Sequence, residues 1–105
     1  MTTETMTLGY ARMGKHREIK KALEAFWRGG LETDTLLATV QEIEAHGWKT
    51  QLDAGIDRIA VGDQTLYDQG LDWAIRLGLI PDRFQGLNSL DRYFAMARGK
   101  DGIPA

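Results

Sequence analysis

Residues 9–16 read Gly-Tyr-Ala-Arg-Met-Gly-Lys-His. Gly9, four intervening residues, then Gly14-Lys15 come within one residue of the phosphate-cradling loop, whose next position is a Ser or Thr that ligates magnesium. His16 stands there instead, and Tyr10, Arg12 and Met13 are bulky for a loop that must wrap phosphates with its backbone N–H groups. Downstream, Ile59-Ala60-Val61-Gly62-Asp63 has the look of the strand-plus-Asp that would complete such a site. The triphosphate reading therefore has weak support, but the anion chemistry survives it. Lys15, Arg17 and Lys20 fall in the first turn and a half of a helix-like run, where free N–H groups and the helix dipole favour negative charge. Arg17 and Lys20 are i, i+3 neighbours and Lys21 is i+4 from Arg17, so they can address one ligand. On spacing alone, a solvated helix face with Glu18 and Glu24 as partners explains the same residues.

Charge is unevenly spread. Residues 12–28 hold six bases against two acids, a net of +4, on a chain whose net charge is -2. A basic element on an otherwise acidic chain suits a local anion site better than a general polyanion binder. There is no cysteine, so no disulfide framework and no thiolate metal site, and the two histidines, His16 and His46, are well separated in sequence. Asp63 is a candidate ligand residue, with capping of the turn around Thr65 as the structural alternative. Asp68 and Asp72 have i, i+4 spacing, but no third ligand is near, which favours a solvated helix face. Trp27, Trp48 and Trp73 read as packing residues, because a nucleic-acid platform needs bases interleaved around its aromatics.

The elements that must position these residues follow from the hydrophobic period. At 105 residues the chain is at most one ordinary domain with a modest core. Residues 5–10 (TMTLGY) read as a strand. Ile19, Leu23 and Phe26 share one helical face until Gly29-Gly30. Thr33 or Asp34 caps a second helix running to about residue 54, with Gly47 as a cost of ~1 kcal/mol relative to Ala. Residues 56–61 read as a second strand. A helix over about 65–77 turns Leu66, Leu71, Ala74 and Leu77 inward, and Asn88 or Ser89 caps a last helix that ends at Gly99. The order β-α-α-β-α-α predicts an α/β fold with two parallel strands. Two parallel strands are too few for a sheet covered on both faces, so partners are expected: more of the same sheet, or copies of this chain.

Three stretches carry a resemblance: LGYARMGKHREIKKALEAFWRGG, AGIDRIAVGDQTLYDQGLD and LDRYFAMARG. Together they resemble the N-terminal opening of cobalamin-independent methionine synthases, in family order over most of residues 7–99. The resemblance implies a segment of a (βα)8 TIM-like barrel, here an incomplete one, in an enzyme of two such barrels. It implies methyl transfer from a polyglutamylated methyl-tetrahydrofolate to homocysteine, in methionine biosynthesis. It implies that Arg17, Glu18, Ile19 and Lys20 form the folate-binding segment, whose bases meet the carboxylates of the glutamate tail, with Lys21 and Asp63 as further candidates. The sequence departs from the family pattern at Tyr10-Ala11, where Phe-Pro is usual, and at Gln64, where an aromatic is usual.

The zinc ligands and homocysteine pocket of that family belong to its C-terminal barrel, so no cofactor is expected in this chain and no catalysis by it alone. The expected partners are a methyl-tetrahydrofolate polyglutamate and either the remainder of the barrel or copies of the chain, and neither nucleic acid nor membrane. The alternative is a stand-alone, non-catalytic interaction module that self-associates through open sheet edges. No run approaches the ~18 apolar residues of a membrane span, and the N-terminus, with Glu4, lacks the apolar core of a secretory signal, which makes the cytoplasm the default.

Overall fold

The structure, a computed structural model, describes residues 2–105. Four α-helices and one short 3-10 turn organise it: α1 (Glu18–Trp27), α2 (Thr33–Asp53), α3 (Gln69–Arg76), the 3-10 turn Asp82–Phe84, and α4 (Ser89–Arg98). They fall into two compact units, one ending at Leu66 and the other spanning Tyr67–Ala105.

In the first unit, α1 packs on α2. The 3.6-residue period places Ile19 and Leu23 on the covered face of α1, and both are buried, as is Leu36 of α2. The chain leaves α1 through Gly29, at φ 78, a left-handed conformation that a glycine adopts at little cost. Neither Thr33 nor Asp34 caps α2; Glu32 precedes it in extended conformation without a side-chain cap. Gly47 and Gln51 are buried on the same helix. Burying Gln51 is tolerated because its amide is satisfied: Oε1 accepts the Thr7 hydroxyl and Nε2 donates to the Gly47 carbonyl at 3.2 Å.

In the second unit, Asp68 caps α3 by accepting from the Leu71 N–H at 2.7 Å, and Asn88 caps α4 by accepting from the Asp91 N–H at 2.9 Å. Phe84, Tyr93, Phe94 and Ala95 form its buried centre, with the rings of Tyr93 and Phe94 edge to face at 5.2 Å. The Tyr93 hydroxyl accepts from the Tyr67 N–H and donates to Asp72, each at 2.8 Å. Asp68 and Asp72 are therefore a helix cap and a tyrosine partner, not a plain solvated face. Leu77, expected inward, is exposed, and so is Trp73, whose ring lies under the Arg76 guanidinium.

The expected β-α-α-β-α-α order with parallel strands, and with it the barrel segment, is overturned. Among the described residues the chain is helical and has no sheet. Where strands were expected over 5–10 and 56–61 there is one isolated parallel bridge, Met6 to Arg58. Its bonds are Arg58 N–H to Thr5 O at 3.0 Å and a long Thr7 N–H to Arg58 O at 3.4 Å. The physical reason is that β propensity measures packing on a half-buried pleated surface, and nothing here provides that surface. Leu8 is 98% exposed and Val61 67%. Two adjoining segments without further strands cannot extend a ladder. Among the described residues no helix is long and apolar enough to cross a membrane.

Candidate functional site

The segment between the bridge and α1 is fixed by bonds to residues 63–65. Asp63 Oδ2 accepts from the Tyr10 N–H at 2.7 Å, Gln64 Nε2 donates to the Arg12 carbonyl at 3.3 Å, and the Arg12 guanidinium donates to the Thr65 carbonyl at 3.3 Å. Asp63 thus serves a backbone group of the opposing loop. The Tyr10 ring lies on α2 where Gly47 offers no side chain: a Cβ there would stand 2.9 Å from Tyr10 Cδ1. The mid-helix glycine, a cost when read as helix propensity, is the seat of an aromatic ring. A Gly inside a helical pattern beside Trp48 was the signal available for it.

α1 begins in an unusual way. Arg17, its N-cap, has φ 60 and ψ 38, the only positive φ of a non-glycine residue among those described. A left-handed arginine costs roughly 1–2 kcal/mol, and such conformations persist only where surrounding bonds impose them. Those bonds are visible. Gly14, itself at φ 85, lets the chain pass so close to Glu18 that a Cβ there would sit 2.0 Å from its carboxylate. Both Glu18 oxygens accept from the His16 N–H, at 3.1 and 3.3 Å, while the Arg17 N–H donates to Gly14 O and the Ile19 N–H to Met13 O. The Glu18 carboxyl is held below the usual range, first by its own backbone N–H and then by that of His16, against a partial desolvation.

Of the residues proposed from sequence to meet the folate tail, Arg17, Lys20 and Lys21 are exposed at the start of α1, and none joins an ion pair among the described residues. Glu18 is engaged by its own turn. Ile19 is fully buried, so its side chain anchors the helix. Asp63 stands apart from this cluster, on the Tyr10 side of the loop. Beside the loop opens a cleft of about 570 Å³ between residues 10–18 and one face of α2, lined in part by Tyr10, Lys15, His16, Ile43 and His46. The two histidines, distant in sequence, share it. Among the described residues no three His, Asp or Glu side chains converge as a metal site.

Comparison with known proteins bears on all of this. The family model for the cobalamin-independent synthase N-terminal domain matches residues 4–105. The 5-methyltetrahydropteroyltriglutamate–homocysteine methyltransferase of Synechococcus sp. (strain JA-2-3B'a(2-13)) is 70% identical over all 105 residues, and that of Thermosynechococcus vestitus is 60% identical over the same span. The enzyme of that name from Nitrosomonas europaea is 50% identical over 108 aligned positions. In each case all of this chain is matched, and it spans 14% of the relative's length. The chain belongs to the cobalamin-independent methionine synthase family, as a segment of its N-terminal domain.

Proposed function

We propose that this segment helps to bind the polyglutamate tail of 5-methyltetrahydrofolate for methyl transfer to homocysteine in methionine biosynthesis, with Arg17 and Lys20 meeting tail carboxylates and Lys21 adding charge. The observation that carries it is the start of α1: a strained, exposed arginine held at the helix cap, followed by two exposed lysines and no competing ion pair among the described residues. Helix N–H groups and three cations together favour a multiply charged anion. In this reading Glu18 sets the geometry of the turn and Ile19 holds the helix down; Asp63 fixes Tyr10 and takes no part in the tail site. In this reading the segment contributes binding, and activation of homocysteine belongs to other parts of the longer relatives. Titration with mono- and triglutamate forms of the folate tests the reading: the triglutamate should bind more tightly, and the advantage should shrink as salt rises. Equal affinities at low salt would refute it.

A second reading has its own observation. Met6, Leu8 and Val61 are exposed near the Met6–Arg58 bridge, apolar surface that self-association would cover. With no sheet present, any such contact would run through side chains, not through sheet edges.

A further inference from the structure

The cleft beside the α1 start has the features of a small-molecule site that the tail-binding residues do not explain. Its volume, about 570 Å³, falls within the roughly 300–1,000 Å³ of typical ligand pockets. One wall is set in advance. Tyr10 is tied through its backbone N–H to Asp63 and has its ring seated over Gly47, and Ile43 continues the apolar surface. Lys15, His16 and His46 supply donors around that wall: an ammonium carries three N–H groups, and an imidazole at least one. The acid in the lining, Glu18, is already occupied by the His16 N–H and packed at Gly14. Thr50 donates its hydroxyl to the His46 carbonyl at 2.8 Å.

We propose that this cleft binds a small planar aromatic carboxylate, with the ring against Tyr10 and Ile43 and the carboxylate bonded to Lys15 and the imidazole N–H groups. An aromatic wall rewards a flat ring through offset or edge-to-face packing, and charge-assisted bonds reward the carboxylate. Arg17 and Lys20 do not line the cleft, so the site is separate from the tail-binding positions and stands or falls independently of them.

The test is calorimetric titration with 1-naphthoate and with 1-naphthalenemethanol, its uncharged counterpart, followed in parallel by side-chain NMR of Tyr10, His16 and His46. The carboxylate should bind about fivefold or more tightly than the alcohol, a charge-assisted advantage discounted for solvent exposure. The three resonance sets should shift saturably. Lys15→Gln and His46→Gln, both at exposed positions, should each weaken naphthoate severalfold and leave the alcohol unchanged, while Tyr10→Ala should weaken both. Arg28→Ala, at an exposed position that does not line the cleft, should change neither. Equal binding of the two probes, shifts that do not saturate, or loss of naphthoate binding in Arg28→Ala alone would overturn the proposal.

Discussion

Arg17 and Glu18 are neighbours with opposite tasks. Arg17 bears backbone strain and offers its charge outward, whereas Glu18 spends its charge on the turn. Replacing Arg17 by Gly should relieve the left-handed strain, offset in part by the greater freedom of an unfolded glycine, for a net gain of about 0.5–1 kcal/mol. Urea unfolding would check it, and a loss of stability would mean that the arginine side chain supports the fold. Glu18 makes a pH-dependent contribution whose sign follows from its lowered pKa. A carboxyl lower in the folded state stabilises above its ordinary value of 4.5, and this stabilisation fades as pH falls through the folded value. Glu18→Gln should therefore lower the urea midpoint near neutral pH and approach the parent protein as the medium becomes acidic; a difference independent of pH would contradict the assignment. The charge pattern at this helix start was legible in the sequence. The division of labour was not, because i, i+3 spacing says which residues neighbour each other but not which of them the backbone consumes. Ile19 makes the same point: the family segment includes it, and its apolar period, not ligand contact, decides where it goes.

At the scale of elements, the helices were legible and the strands were not. Helices close their own hydrogen bonds, so the periods around Ile19 and Leu36 and the cap at Asn88 were enough to place α1, α2 and α4. A strand depends on neighbours that a local pattern cannot supply, and residues 5–10 and 56–61 retain only the Met6 bridge to Arg58. α2 also hid its main function. Gly47 reads as a defect, yet it receives Tyr10, and with it the aromatic wall of the cleft. Gly47→Ala should forfeit the ~1 kcal/mol that helix propensity offers, because the new methyl displaces the ring. With Tyr10→Ala already in place the same substitution should be stabilising. A double-mutant cycle by thermal unfolding checks this, and additive effects would show that Tyr10 and Gly47 are not coupled.

At the scale of the molecule, this chain is one seventh or so of its relatives by length, and its exposed apolar residues suit a surface that something else covers. Alone, it should self-associate with rising concentration in sedimentation equilibrium, and Leu8→Ser with Val61→Ser should reduce that tendency; a concentration-independent monomer would oppose the expectation. The central claim is that the α1 start recognises a polyanionic tail. It is tested most directly by Arg17→Ala and Lys20→Ala in a polypeptide of the relatives' full length, titrated with mono- and triglutamate folates at low salt. Each substitution should cost the triglutamate about 0.5–1.5 kcal/mol and the monoglutamate much less, and Arg17→Lys should restore only part of the loss if a guanidinium fork is used. Equal, small losses for both folates would mean that Arg17 and Lys20 are ordinary surface and that the tail is held elsewhere.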